Sequence, residues 1–169
     1  MAAEAGVSAG LVFFYFESVD KLLVELLDWL LAQTIVAADS PDRLSHVADP
    51  GARMMLAIRR DVEWLPNQRE RVELFFDYWV LGTRHPAIRR KIRRALNRYR
   101  DAFQPLARAL LESDPERYGG MTVDGLAFVA AGFVEGCALQ VVMDPEQFDV
   151  ERAMTTLAAL VRAPASALI

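Results

Sequence analysis

The chain has 169 residues, 53% of them hydrophobic, which suits one domain or a small domain fused to a larger one and excludes a disordered tail. A net charge of −4 excludes a surface that attracts nucleic acid all over. The single cysteine, Cys137, excludes an internal disulfide and fits a reducing compartment; no basic segment followed by an apolar run opens the chain, so a cytoplasmic protein is expected.

Strand signals are nearly absent and helical periods dominate, so the fold is read as all-α. Residues 2–5 form a helical stub ended by Gly6. Ser8 can cap a short helix over residues 9–15, and Ser18 can cap the next, which runs to about residue 38 on a stripe of Leu22, Leu23, Leu26, Leu27, Leu30 and Leu31. "ADSPDRLSHVADPG" breaks the pattern. A helix over residues 52–65 turns Met54, Met55, Ile58, Val62 and Leu65 inward and Arg59, Arg60 and Asp61 outward, and Pro66 ends it. Residues 68–83 carry Val72, Phe75, Phe76 and Trp79, widened by Leu74, Tyr78 and Leu81. Pro86 opens a helix to about residue 112 on Ile88, Ile92, Ala95, Leu96, Tyr99, Phe103 and Leu106. After the loop "SDPERYGG" come helices over residues 123–143 and 150–162 and a loose tail, residues 164–169.

Charge is unevenly spread. Residues 1–38 hold one base, Lys21, against Glu4, Glu17, Asp20, Glu25 and Asp28, so they carry the whole net −4 and residues 39–169 balance to zero. "RHPAIRRKIRRALNRYR" holds eight bases and no acid. A basic amphipathic helix can meet a membrane or nucleic acid, but its apolar stripe is complete enough to be core, which favours a solvated basic face. "LAFVAAGFVEGCALQVVM" has only Glu135 and Gln140 as polar residues. It is short for a membrane span and has Glu near its middle. Burial on both sides, against the body and against a partner subunit, is the better reading, and no membrane partner is expected.

Trp29, Trp64, Phe75, Phe76, Tyr78, Trp79 and Phe128 sit on helices that can surround one cavity, with Met54, Met55 and Ile58 as adaptable wall. Met54, Ile58, Trp64, Phe75, Tyr78, Trp79 and Phe128 are the candidate ligand contacts, for a small apolar or aromatic molecule. Asp77 and Glu135 lie inside apolar runs. Each is read as exposed or Arg-paired, or alternatively as facing a cationic ligand. Gly132 and Gly136 are four apart and allow two backbones to approach. With Val129, Phe133, Leu157 and Leu160 they make the candidate dimer interface. His46 and His85 are isolated and Cys137 has no His nearby in sequence. No paired-carboxylate motif, phosphate loop or metal cluster is found, so no catalytic residue, metal or cofactor is expected and the protein is read as not an enzyme.

"MAAEAGVSAGLVFFYFESVDKLL" resembles the second half of the TetR-family DNA-binding domain. Ala2, Ala5, Gly6, Val7, Ser8, Gly10, Phe13, Phe16, Ser18 and Leu22 match the family pattern. "GFVEGCALQVVMDPEQFDVERAMTTLAALV" is similar to the last two helices of many members. The resemblance implies an all-α homodimeric repressor in which a helix-turn-helix head reads operator DNA and a helical body binds a small effector. Ligand would then favour a head spacing that no longer matches two half-sites. It makes residues 1–19 a remnant of the head and residues 20–163 the body. Ser8, Ala9, Gly10, Phe13, Phe14, Tyr15 and Lys21 become the candidate DNA contacts. Three departures stand out: the head's first helix is missing, Val19 replaces the family's Lys, and Phe13 replaces the usual Tyr. Specific DNA binding is therefore expected to be lost in this chain while a full-length form keeps it. The alternative is a small-molecule-binding helical dimer with no DNA role.

Overall fold

The computed structural model describes residues 18–34 and 46–162, with Gly6 and Leu44. The described residues form six helices and no strand: α1 (Val19–Thr34), α2 (Pro50–Asn67), α3 (Arg69–Gly82), α4 (Pro86–Ser113), α5 (Val123–Met143) and α6 (Val150–Arg162). The expected stub, the helix over residues 9–15, the end of α1 beyond Thr34 and the tail lie outside the described residues.

Local chemistry sets the helix starts. The Lys21 backbone N–H donates to Ser18 Oγ at 3.1 Å. Ala52 N–H donates to Asp49 Oδ2 at 2.6 Å, with Pro50 in the first turn where a missing N–H costs nothing. Thr122 and Asp149 accept in the same way from Gly125 and Arg152. The expected stop at Pro66 is corrected: α2 continues to Asn67 with Pro66 inside it. In the last turn the proline forfeits only its own bond to the Val62 carbonyl, and Gln68 N–H closes the end on the Leu65 carbonyl at 3.0 Å.

Two apolar cores are built. The larger joins α2, α5, α6 and the second half of α4 through Ile58, Val62, Phe103, Ala131, Val134 and Met154. The smaller joins α1, α3 and the first half of α4 through Leu27, Leu30, Tyr78, Ile88 and Ile92. Tyr78 is buried and donates its hydroxyl to the Leu23 carbonyl at 2.8 Å, which ties α3 to α1. Lys91 Nζ reaches Asp28 Oδ1 at 2.6 Å and ties α4 to the same helix. Gly82 allows α3 and α4 to close: a Cβ there would stand 3.1 Å from Ile92 Cδ1.

α5 is long and apolar enough to cross a membrane by length and composition alone. Its Ala127, Ala130, Ala131, Val134, Cys137, Ala138 and Val141 nevertheless pack into the larger core. The arginines of "RHPAIRRKIRRALNRYR" lie opposite buried Ile88, Ile92 and Ala95, with Arg89, Arg90, Arg93, Arg94 and Arg98 exposed.

Candidate functional site: a carboxylate-bearing cavity

Where the two cores meet, packing is incomplete. A cavity of about 110 Å³ opens among five helices. Leu31 comes from α1, Asp61, Trp64 and Leu65 from α2, and Val72 and Phe75 from α3. Ala95, Leu96 and Tyr99 come from α4, and Val134, Glu135 and Ala138 from α5. Three aromatic rings and aliphatic side chains make most of the wall. Phe75 is held by edge contacts to Phe76 and Trp79, each with centroids 6.1 Å apart. Tyr99 meets Phe103 edge-on at 5.4 Å.

Two acidic residues, Asp61 and Glu135, are among those that line this mostly apolar wall. Asp61 is only 7% exposed and accepts a hydrogen bond from the Tyr99 hydroxyl at 2.6 Å. Burial pushes its pKa above the usual aspartate value, while the Tyr99 bond and the Arg60 charge pull it back. Burial likewise raises Glu135, opposed by the charge of Arg100. Tyr99 is held well above the usual tyrosine range by burial, and then by the negative charge of Asp61. Both carboxylates therefore lack the solvation their charge calls for. A cation entering the cavity would supply what water no longer does.

The model of the BetI-type transcriptional repressor C-terminal region matches residues 50–164, more than half of the chain. The chain belongs to the TetR family. A solved structure of a candidate transcriptional regulator from Saccharomonospora viridis in complex with choline superposes with a TM-score of 0.73 at 21% identity. The match covers 95% of this chain and 81% of that one, and it shows a shared fold. No match was found among curated proteins.

In this TetR-family body the expected ligand contacts are divided. Trp64 and Phe75 line the cavity. Met54 and Ile58 are buried in the larger core, away from the cavity wall. Tyr78 spends its hydroxyl on Leu23 in the smaller core. Trp79 is 38% exposed and stacks on Phe76 with centroids 5.9 Å apart; it lines an outer groove instead. Phe128 is 60% exposed, with the Arg100 guanidinium 5.5 Å over its ring. Trp29 is exposed. Of the two acids noted within apolar runs, Asp77 is exposed and Glu135 is on the cavity wall.

Asp61 is the clearest correction, since it was expected to point outward. Residues 58, 61, 62 and 65 follow the spacing of one helix face, and Ile58, Val62 and Leu65 are all buried on it. Asp61 shares that face, and Tyr99 supplies the hydrogen bond that makes its burial tolerable. Tyr99 sits on the apolar stripe of α4, where its hydroxyl was the signal of a buried acceptor.

On the outer side of the body, Val129, Gly132, Gly136 and Leu160 are exposed, and a Cβ at either glycine would meet no atom within 4 Å. Phe133 and Leu157 are half-buried against the larger core. Ser8, Ala9, Gly10, Phe13, Phe14 and Tyr15 lie outside the described residues, and Lys21 is exposed in the first turn of α1. Gly6 has φ +66°, the left-handed conformation a glycine takes at the end of a helix. Among the described residues, no cluster of His, Cys, Asp or Glu is placed to hold a metal ion.

Proposed function

We propose that this chain is the effector-sensing body of a homodimeric TetR-family transcriptional repressor, and that the effector is a small organic cation with apolar substituents. The observation that carries the reading is the pair Asp61 and Glu135 on the wall of an otherwise apolar cavity with Trp64, Phe75 and Tyr99. A neutral apolar or aromatic guest would fit the walls but bring no charge to offset what burial takes from Asp61 and Glu135. A quaternary ammonium meets both demands: its methyl groups pack on the rings, and its charge is drawn to ring faces and carboxylates alike. Size agrees. At about 110 Å³ the cavity suits a compact headgroup better than a flat drug-sized molecule, which takes roughly 300 Å³ or more. The choline held by the Saccharomonospora viridis protein is a cation of this kind.

Leu31 gives the cavity a wall from α1, the helix that follows the segment resembling a DNA reader. A guest that binds better with α1 in one position shifts the balance between two head arrangements by its difference in affinity for them. Operator DNA is the partner of a repressor of this kind. In this chain, Val19 in place of Lys and the net −4 of residues 1–38 weaken phosphate contact. A mobility-shift assay on the upstream promoter region is expected to show no specific complex, and a sequence-selective complex at nanomolar protein would overturn that expectation.

Calorimetric titration of choline against dimethylbutanol, its uncharged carbon analogue, tests the effector class. Choline is expected to bind roughly tenfold or more tightly, to raise the melting temperature by mass action and to perturb Trp64 emission. Equal affinity for the two compounds would return the reading to a neutral apolar effector.

A further inference from the structure

Outside the cavity, on the face shared by α3 and α4, runs a groove of about 370 Å³. Trp79, Ile92 and Leu96 give it apolar wall, and Arg89, Arg93 and Arg100 give it charge. Residues 89, 93, 96 and 100 share one stripe of α4 by helical spacing. Arg89 is already committed: its Nε donates to the Gly82 carbonyl at 3.0 Å and its Nη2 to the Thr83 carbonyl. Arg93 is exposed and forms no hydrogen bond or ion pair among the described residues. Arg100 reaches Asn97 Oδ1 at 2.7 Å and keeps its guanidinium over Phe128.

Leu96 belongs to both spaces, lining the inner cavity and the outer groove. Acidic Asp61 and Glu135 are among the residues of the inner cavity, and Arg89, Arg93 and Arg100 are among those of the groove. We propose that the effector is a zwitterion that straddles Leu96, with its ammonium headgroup in the inner cavity and a carboxylate on a short chain lying in the groove against Arg93 and Arg100.

The proposal rests on the cation reading of the inner cavity and adds the anionic end. Electrostatics supports it. Arg100 is close enough to Glu135 for its charge to act on that carboxyl, so a lone cation in the cavity also feels Arg100's repulsion. A trailing carboxylate turns that repulsion into attraction and gives Arg93 a partner. Trp79 supplies the apolar surface along which a methylene chain can lie.

The test is calorimetric titration of the protein with trimethylammonium compounds of increasing chain length, each ending in a carboxylate or in a methyl group. At one chain length the carboxylate is expected to bind roughly tenfold more tightly than its methyl-ended twin. Arg93→Gln should erase that gain while leaving tetramethylammonium binding intact, and adding Arg100→Gln should erase it without weakening tetramethylammonium, which is then relieved of Arg100's repulsion. Arg93 is exposed, so the single variant tests the idea without endangering the fold. If no carboxylate outbinds its twin at any length, or if the gain survives both variants, the zwitterion proposal is overturned while the cation reading stands. If no trimethylammonium compound binds at all, both fall together.

Discussion

Asp61 is a carboxylate held where its charge is poorly solvated, and the sign of its pKa shift says what that does to the fold. Its folded pKa lies above the ordinary value expected in the unfolded chain. The native state therefore binds more protons between the two values, and stability falls as pH rises through that window. Above it the ionised group is a standing cost in the empty protein. Asp61→Asn keeps an oxygen to accept from Tyr99 and removes the charge. It is expected to raise the melting temperature of the empty protein at neutral pH, and to weaken choline binding by roughly tenfold or more, as loss of one close charge pair allows. Thermal melts and titrations on the same variant check both halves. Affinity for a cation should also fall on acidification at a pH above the usual carboxylate range, because Asp61 and Glu135 are both shifted upward. A flat affinity profile from neutral pH down to that range would count against both groups as ligand contacts.

At the scale of the helices, α1 is held to the body by few specific links, and each can be tested. Tyr78→Phe removes the hydroxyl that bonds the Leu23 carbonyl. It should cost about 1 kcal/mol, read as a fall of roughly 2–4 °C in melting temperature for a chain of this size. Hydrogen exchange should accelerate in α1 more than in α5. Helix positions were legible from sequence to this level: the ranges read for α5 and α6, residues 123–143 and 150–162, are those observed, whereas their caps at Thr122 and Asp149 were not read. The cavity was less legible. Helical periodicity tells which side of α3 is apolar, but both cores draw on that side. Phe75 faces the seam, Tyr78 the smaller core and Trp79 the groove. A charged residue in a pattern reads as outward, which is why Asp61 was misplaced. Only its partner on α4, far away in sequence, shows why it can be buried.

For the whole molecule, the exposed apolar residues of α5 and α6 bear on assembly. Phe128, Val129, Leu139 and Met143 on α5 and Leu160 on α6 are all exposed, a concentration that isolated soluble domains rarely carry. We propose that they pair with a second copy. A Cβ added at Gly132 meets no atom within 4 Å in the single chain, so Gly132→Arg starts into open space. It should leave the melting of a monomer unaffected while splitting the dimer, because a long charged side chain would stand between closely approaching helices. Light scattering at micromolar concentration is expected to give a dimer for the wild type and a monomer for the variant. A wild-type monomer would refute the interface.

α4 has a consequence for how the protein melts. Its 28 residues make one rod about 42 Å long, with Ile88 and Ile92 embedded in one core and Phe103 in the other. Neither core can lose its share of this helix without pulling on the other's, so the two act as a single cooperative unit despite the void between them. Calorimetry should record one transition whose directly measured heat agrees with that inferred from its sharpness, once dissociation of the proposed dimer is allowed for. Two glycines placed at Ala95 and Leu96 would break the continuity of the rod at the seam, and the single peak should then broaden or divide.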